Sequence, residues 1–371
     1  MIKKDLVIIG HGIGGSVLAQ KALGRGLSVL VIDQNFELGS SWIAGGLLHP
    51  MVFKRLTLAW PGLEESMACL EYYQNLESAA WHPGPLVRRI STLDEAHRWE
   101  KSTMDPHLTT LLTILDEKVP KGISTSFGWG RVELGGWLDV PLFLTQNWQA
   151  LEAKGLTLSY HLAAENLDSY SPILTIPKYE AIEYKHLVLA TGISAPGWKV
   201  VPSLGEIPFY GVKGEILDLW LPELELETIV LGPLFLVPLE EQGMVRVGST
   251  YEREYTDSQP SVTEAHKMLS QLGTFLPFLA NWSKEELFAR VRGHRAGIRP
   301  AARDRRPYLG PLGDNKAGAP PGTLVMNGLG ARGCMVAPYA AELLLDFIQW
   351  GIPIPPELRC TPRRCSTVTS D

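Results

Sequence analysis

The sequence contains few cysteines, and their spacing does not suggest a structural or metal-binding role. Its 371 residues include four cysteines, and no two of them form a C-x-x-C pair. Four are too few for a disulfide framework in a chain of this length, so we expect reduced thiols. The nine histidines show no metal-ligand spacing, and H-E-x-x-H, Walker A and G-x-S-x-G strings do not occur. We therefore expect no metal site.

Long apolar segments and an excess of positive charge are also missing. The longest stretch without Asp, Glu, Lys or Arg, residues 38–53, has 16 residues and contains a proline and three glycines. Spanning a membrane takes about 18 or more apolar residues. The first residues lead directly into a strand-like run, without the apolar region and cleavage site of a signal peptide. These features predict a cytoplasmic protein that does not bind a membrane.

The charge balance is acidic, with 34 Lys+Arg against 40 Asp+Glu and a formal net charge of -6. A broad basic surface for a nucleic-acid backbone is therefore not expected, and nucleic acid is not predicted as a partner. The composition, 45% hydrophobic and 20% charged, is typical of a globular protein.

The N-terminus has the pattern of a strand–helix–strand unit that binds a dinucleotide. An apolar run at residues 5–9 is followed by a G-x-G-x-x-G string, a helical stretch to about residue 23, and a second apolar run that ends at Asp33. In such units the first glycine makes a tight turn, the second lets a pyrophosphate approach and the third lets helix and strand pack closely. Asp33 is placed to bind a ribose. The alternative is a glycine-rich turn in an unrelated α/β protein.

Two later strings favour FAD over NAD. Residues 187–192, Leu-Val-Leu-Ala-Thr-Gly, read as a strand that ends in a small pair, and residues 327–333, Asn-Gly-Leu-Gly-Ala-Arg-Gly, precede the last helical pattern. Small residues there would let backbone N–H groups reach a large planar ring. Either string alone is equally compatible with an ordinary turn or a flexible loop, but together with the N-terminal unit they predict FAD.

With these strings in place, the sequence resembles the FAD-dependent D-amino-acid oxidase superfamily, which includes glycine oxidase, sarcosine oxidase and the oxidase half of a bifunctional tRNA-modification enzyme. The resemblance covers residues 5 to about 351. Besides the strings above, it rests on three segments: Ala-Gly-Gly-Leu-Leu-His-Pro at 44–50, Gly-Ile-Arg-Pro at 297–300 and Asp-Arg-Arg-Pro-Tyr-Leu-Gly at 304–310.

The resemblance implies a set of cofactor contacts spread over five segments. They are Gly10, Gly12, Ile13, Gly14, Gly15, Asp33, Gln34, Ser40, Ser41, Ala44, Gly45, Gly46, Leu47, Thr191, Gly192, Gly328, Gly330, Ala331, Arg332, Gly333 and Cys334. Part of the superfamily attaches its flavin covalently, but a small buried thiol is the simpler interpretation of Cys334.

The resemblance also implies the substrate site. Arg299 corresponds to an arginine that binds the substrate carboxylate, for which a planar guanidinium is suited because it donates two parallel hydrogen bonds. Arg332 is a second candidate for an anionic group. Tyr251 is a candidate active-site side chain, with Tyr210 and Tyr255 as competitors and ordinary packing as the alternative.

The activity implied is oxidation of the C–N bond of an amino acid or N-substituted glycine, by hydride transfer to flavin N5. Dioxygen or another acceptor would reoxidise the flavin. The alternatives are a dehydrogenase that passes electrons to a non-oxygen acceptor and a non-catalytic protein that keeps FAD as a structural element.

The fold class expected is α/β, with an FAD-binding Rossmann-like domain and an inserted, mainly antiparallel α+β substrate domain. We predict the FAD-binding domain at residues 1–85, 140–206 and 291–350, the substrate domain at 86–139 and 207–290, and an irregular tail at 351–371. Helices are predicted at about 66–78, 139–153 and 337–350.

Overall fold

The computed structural model describes residues 1–76, 78–115, 122–162, 171–193, 210–311 and 320–360. The chain divides into two compact units. The first comprises Met1–Trp42, Val140–Val212 and Ile298–Asp371, and the second comprises Ile43–Asp139 and Lys213–Gly297.

The first unit is built on a seven-stranded sheet in which five strands are parallel. Its strands are β1 (Ile2–Ile9), β2 (Val29–Asp33), β11 (Thr157–Ser159), β12 (Ile173–Leu174), β13 (Ile182–Leu189), β19 (Tyr308–Pro311) and β20 (Thr323–Asn327). The order is β11-β2-β1-β13-β20-β19, with β12 paired to β13. Both β12 and β19 run antiparallel to their neighbours. The central strands are buried, as their continuous apolar runs predict.

Among its described residues this unit has three α-helices: α1 (Ile13–Gly24), α4 (Val140–Glu152) and α7 (Gly333–Trp350). Helix α1 packs against both of the others. At its C-terminal end Arg25 and Lys21 form ion pairs with Glu342 of α7, and Arg25 also pairs with Asp346 at 2.8 Å. These contacts fix the helix that follows the glycine-rich turn.

The second unit contains an eight-stranded sheet. Its strands are β7 (Leu86–Arg89), β8 (Leu112–Leu115), β9 (Trp129–Val132), β14 (Tyr210–Trp220), β15 (Ile229–Leu231), β16 (Phe235–Pro238), β17 (Met244–Gly248) and β18 (Val291–Ala301). The order is β18-β14-β17-β16-β15-β7-β9-β8. The pairs along it are antiparallel wherever their register is defined, apart from the parallel pair β15–β7.

Smaller elements complete the second unit. They are the strands β3 (Leu47–Leu48), β4 (Met51–Val52), β5 (Thr57–Leu58), β6 (Trp81–Pro83) and β10 (Gly136–Leu138), and the helices α2 (Leu63–Gln74), α3 (Leu93–Thr103), α5 (Val262–Gly273) and α6 (Lys284–Phe288). The core on one side of the large sheet is formed by Leu217, Val245 and Val247 with apolar residues of α5.

The boundary between the units differs from the predicted one. Residues 43–85, expected in the first unit, belong to the second. The reason is tertiary pairing, because β3 and β6 both form antiparallel pairs with β10. The start of the expected irregular tail is also ordered: Leu358 is buried in a 3-10 turn, Pro356–Leu358, and Arg359 pairs with Leu309. Residues 361–371 lie outside the described part.

Most predicted elements exist with shifted ends, and two kinds of error remain. The apolar run at 228–239, which hydrophobicity alone indicates as a single strand, is two strands that pair as a hairpin around Gly232 and Pro233. Helices α3 and α5 were not predicted, although each begins with a side-chain cap, Thr92 and Ser261 respectively. Those caps are the signal that sequence reasoning overlooked.

Candidate functional site

The glycine-rich turn after β1 is shaped by backbone atoms that leave no room for side chains. Gly10 has a φ of +104°, and a Cβ on it would lie 2.5 Å from the Ala190 carbonyl oxygen. A Cβ on Gly15 would lie 1.9 Å from the Gly10 carbonyl oxygen. Both positions therefore require glycine, for conformation at Gly10 and for close approach at Gly15. This agrees with the roles expected for the first and third glycines of the string.

Helix α1 begins at this turn and presents its N-terminus there. Its N-cap residue is Gly12, which carries no side chain to occupy the first amide groups. The Ile13 N–H donates to Ser41 Oγ at 3.0 Å, and a Cβ on Gly12 would lie 3.0 Å from the same oxygen. A helix N-terminus carries partial positive charge and unsatisfied N–H groups, so this turn suits a phosphate or pyrophosphate.

Asp33 lies at the end of β2 and receives backbone hydrogen bonds on both oxygens. His11 N–H donates to Oδ2 at 2.6 Å and Asn35 N–H donates to Oδ1 at 2.8 Å. Burial raises the pKa of this carboxyl, and the two hydrogen bonds partly offset that effect. Each carboxylate oxygen can accept a further hydrogen bond, so Asp33 could bind sugar hydroxyls.

His11, within the glycine-rich turn, was given no role by the sequence. It is fully buried, its ring makes edge contacts with Phe36 and Trp148, and its Nε2 lies 3.1 Å from the Leu144 carbonyl oxygen. Burial lowers the pKa of His11 to about 4. At neutral pH the imidazole is uncharged, so the positive potential of the turn comes from its backbone.

The ends of β13 and β20 are joined by a side chain that the sequence analysis did not single out. Asn327 Nδ2 donates to the Gly192 carbonyl oxygen at 2.9 Å, and Gly328 N–H donates to Asn327 Oδ1 at 2.8 Å. Gly192 and Gly328 both have positive φ. A strand-terminal asparagine before a glycine is the signal that could have identified this link.

The loop that follows β20 lies against the start of α1. A Cβ on Gly14 would lie 3.1 Å from Leu329 Cδ1, and a Cβ on Gly333 would lie 3.2 Å from Ile13 Cγ2. The three glycine-containing strings, at 10–15, 187–192 and 327–333, therefore meet at the carboxyl edge of the first unit's sheet. This is the edge where open α/β sheets bind their ligands.

Arg299 lies near the same loop. It stands on β18 in the part of that strand that belongs to the first unit, and Ala301 forms an antiparallel bridge with Leu329. A Cβ on Gly330 would lie 3.9 Å from the Pro300 carbonyl oxygen. Arg299 and Arg332 are both half-buried. The backbone thus places the strand that carries Arg299 beside the loop that carries Arg332.

Cys334 is the second residue of α7 and is buried. Burial raises the pKa of its thiol to about 12. The thiolate, which is the nucleophilic form, is therefore disfavoured at neutral pH. This supports the structural interpretation of Cys334.

Two groups of predicted site residues belong to the second unit. A Cβ on Gly45 would lie 2.4 Å from the ring of Phe235, and one on Gly46 would lie 1.9 Å from the Leu138 carbonyl oxygen. Packing within the second unit therefore explains why both positions are glycine. Tyr251 is 61% exposed, whereas Tyr255 is half-buried. Tyr210 belongs to the first unit, where its hydroxyl lies 3.5 Å from the Ala302 carbonyl oxygen.

The remaining predicted cofactor contacts are more open. Gln34 and Ala331 are exposed, and Ser40, Ala44, Leu47 and Thr191 are half-buried.

The described residues contain no helix with the length and apolar character needed to cross a membrane. Within the same described ranges, no group of three or more His, Cys, Asp or Glu side chains is placed to hold a metal ion.

Comparison with known proteins identifies the family. The family model DAO, described as FAD dependent oxidoreductase, matches residues 5–347. The tRNA 5-methylaminomethyl-2-thiouridine biosynthesis bifunctional protein MnmC of Marinobacter nauticus is 24% identical over 356 residues, which cover 92% of this chain and 55% of that protein. This chain thus spans about half the length of the curated relatives it matches. Their name concerns tRNA, so the exclusion of nucleic acid that was drawn from net charge is not supported.

Solved structures agree on the fold. Glycine oxidase from Geobacillus kaustophilus superposes with a TM-score of 0.76 at 18% identity, over 94% of this chain and 95% of that one. L-proline dehydrogenase from P. horikoshii superposes with a TM-score of 0.75 at 16% identity, over 96% of each chain. The predicted mixed α/β fold class is confirmed.

The family match accounts for the convergence of the three glycine-containing strings on one sheet edge, where the geometry fits an adenine dinucleotide. The chain belongs to the DAO family of FAD-dependent oxidoreductases, and FAD is its cofactor.

Proposed function

We propose that this protein oxidises the C–N bond of an amino acid or N-substituted glycine whose carboxylate is held by Arg299. The observation that carries the proposal is the bridge between Ala301 and Leu329, because it fixes the strand bearing Arg299 beside the glycine loop 327–333. That loop adjoins α1 of the dinucleotide-binding unit. An arginine at this place can anchor an acid near the cofactor.

The residues of the chain would bind and orient the substrate. FAD, when bound, supplies the two-electron chemistry by accepting a hydride from the carbon that bears nitrogen. The planar guanidinium of Arg299 can grip a carboxylate through two parallel hydrogen bonds, which fixes the direction of the α-carbon as a lysine would not. Arg332 and Tyr251 remain proposed substrate contacts.

The proposed cofactor contacts would bind different parts of FAD. Gly10, Gly12 and the N-terminus of α1 would face the pyrophosphate, and Asp33 would accept hydrogen bonds from the adenosine ribose. The glycines at 328 and 330 would let backbone N–H groups approach the flavin.

The electron acceptor is proposed to be dioxygen. The similar structures include one named an oxidase and one named a dehydrogenase, so fold alone does not select the acceptor. Oxygen consumption measured with and without an artificial acceptor separates the two activities. Turnover that requires the artificial acceptor would replace the oxidase proposal by a dehydrogenase.

A second candidate substrate is an amine carried on tRNA. It is favoured by the match of 92% of this chain to a protein named for biosynthesis of a tRNA nucleoside. Incubation with tRNA followed by nucleoside mass spectrometry tests it. Loss of an amine-linked group from a modified uridine would favour this candidate over free amino acids.

The direct test is anaerobic reduction of the purified holoprotein by glycine, sarcosine, proline and D-alanine, followed by flavin bleaching. Arg299→Ala should retain FAD yet lose at least 100-fold in the reduction rate at low substrate concentration, because a charge-assisted bidentate contact disappears. Arg299→Lys should recover only part of that rate.

Arg292→Ala is the matched control, since Arg292 is an exposed arginine on the same strand. It should leave both FAD content and reduction rate unchanged. Unaltered reduction of Arg299→Ala would remove Arg299 from the mechanism. Absence of bleaching by every amine tested, tRNA-borne amines included, would favour a non-catalytic FAD-binding protein.

A further inference from the structure

Three charged side chains gather on one face of the second unit's large sheet. Arg246 on β17 donates from Nε to Asp218 Oδ1 at 2.8 Å and from Nη2 to Oδ2 at 3.2 Å. Arg295 on β18 donates from Nη2 to Asp218 Oδ2 at 2.7 Å. Asp218 and Arg246 are directly opposed in the register of β14 and β17. Two guanidinium groups therefore share one carboxylate.

Asp218 is the carboxylate that hydrogen-bonds to both guanidinium groups of this cluster. Arg246 is only 5% exposed and its neighbour across β16 is the fully buried Val237. Asp139 is a further carboxylate that acts electrostatically on Arg295. The three side chains joined by hydrogen bonds thus carry two positive charges and one negative charge, and Arg246 is largely withdrawn from water, where charges interact more strongly.

One guanidinium nitrogen of Arg246 has no hydrogen-bond acceptor among the described residues. Its Nη1 is buried and makes no hydrogen bond with any residue that the structure describes. The side-on edge of the guanidinium, Nε and Nη2, is taken by Asp218, so the end-on edge that includes Nη1 remains for another acceptor. A buried, charged N–H group without an acceptor is costly and rare in folded proteins.

Arg88 in the same unit shows the contrast. Its Nε donates to Glu95 Oε1 at 2.9 Å, its Nη1 donates to the Gly232 carbonyl oxygen at 3.1 Å, and its Nη2 lies 2.9 Å from Glu95 Oε1. All three nitrogens are satisfied within the fold, and one carboxylate faces one guanidinium. Arg88 therefore has a structural role, whereas Arg246 is incomplete without another acceptor.

We propose that Arg246 and Arg295 form a binding subsite for a small monocarboxylate, held end-on by Arg246. A ligand with a single negative charge would bring the net charge of Asp218, Arg246 and Arg295 to zero, whereas a dianionic phosphate would make it negative. The planar carboxylate matches the remaining guanidinium edge in the way that Asp218 already matches the other. Arg295, about a quarter exposed, provides the approach from solvent.

This subsite goes beyond the proposed function, because it is independent of Arg299 and of any oxidation step. The carboxylate is either a free small acid or a side-chain carboxylate of an amino-acid substrate. A carboxylate from either source would accept the same hydrogen bonds from Arg246. Competition of aspartate or glycine with propionate distinguishes the two sources.

The experiment uses saturation-transfer NMR of propionate with the FAD-loaded Arg299→Ala protein at constant ionic strength set by chloride. The Arg299→Ala background removes the guanidinium proposed to hold the substrate carboxylate, so failure of either proposal is seen separately. Saturable propionate binding is expected. Adding Arg246→Met should weaken it at least tenfold, and Arg246→Lys should weaken it because one ammonium cannot serve two carboxylates with planar geometry.

Arg88→Met in the same background is the matched control and should keep the dissociation constant within twofold. Displacement of propionate by aspartate but not glycine assigns the subsite to a substrate side chain, and equal displacement assigns it to a free acid; both results support the subsite. No saturable propionate signal, equal affinity for chloride, or unchanged affinity in both Arg246 variants would overturn the proposal.

Discussion

The glycine-rich turn of the first unit and the arginine cluster of the second are both suited to anions, but they achieve this in opposite ways. At residues 10–15 the electropositive groups are backbone amides, and the single titratable side chain, His11, is held neutral by burial. At Asp218, Arg246 and Arg295 the charge is carried by side chains from three strands.

This difference determines which substitutions each region tolerates. The turn depends on the absence of side chains, since Gly10 and Gly15 have backbone oxygens within 2.5 Å of any added Cβ. The cluster depends on a particular count of charges, two cations to one anion. Steric changes should therefore damage the first region, and changes of charge should damage the second.

The largest effect is expected from Asp218→Asn. It removes the carboxylate that lies between the buried guanidinium of Arg246 and the partly exposed guanidinium of Arg295, and breaking such an arrangement costs about 3 kcal/mol of unfolding free energy. Arg246→Met leaves one arginine facing one carboxylate and should cost clearly less. Denaturant unfolding of both variants measures the difference, and equal losses would show that charge count does not govern the cluster.

Gly15→Ala should be next, with a loss of about 3 kcal/mol of stability together with reduced FAD content, because its Cβ would overlap the Gly10 carbonyl oxygen. Gly24→Ala is the control in the same helix: no atom lies within 4 Å of its Cβ, and alanine should be neutral or slightly stabilising. Normal FAD binding by Gly15→Ala would contradict the expectation that added side-chain atoms damage the glycine-rich turn.

A smaller effect concerns the pH dependence of stability. Burial holds the pKa of His11 at about 4, below its ordinary value of 6.5. The unfolded chain therefore binds more protons than the folded one as pH falls from 6.5 towards 4, and the stability due to neutral His11 is lost in that range. Between pH 7 and pH 5 the loss should be about 2 kcal/mol. His11→Gln should remove that component, as measured by urea unfolding at both pH values.

The smallest effect is expected from Ser41→Ala. It removes the hydroxyl that accepts from Ile13 N–H at the start of α1, which should cost about 1 kcal/mol. Ser159→Ala, at an exposed serine of β11 in the same unit, serves as the control. In the FAD-loaded protein the cost should shrink if a cofactor oxygen replaces the lost acceptor. An equal cost with and without FAD would place Ser41 outside the cofactor site.

Much of the first unit was predictable from local sequence. The strands around residues 5–9 and 29–33, the helix from Ile13 and the acidic residue at the strand end follow from hydrophobic runs and glycine spacing within about 30 residues. Asn327 and His11 were not predicted. Their roles depend on Gly192 in one case and on Phe36, Leu144 and Trp148 in the other, which are distant in sequence.

The second unit was less predictable, because its pairings connect remote segments. Residues 43–85 belong to that unit because β3 and β6 both pair with β10, which begins more than 50 residues downstream of β6. Residues 229–238 form a hairpin, but in the sequence they are one apolar run, so hydrophobicity alone does not show the turn.

By itself the sequence determined the dinucleotide-binding turn and, through motif order, the FAD-dependent family. These features are encoded by residues close together in the chain and by the requirement for glycine where backbone atoms touch. Only the tertiary structure decided that Asp218, Arg246 and Arg295 form one charged cluster. In that cluster Nη1 of Arg246 has no hydrogen-bond acceptor among the described residues. Strand order and register bring those residues together. Neither strand order nor register can be read from the spacing of nearby residues in the sequence.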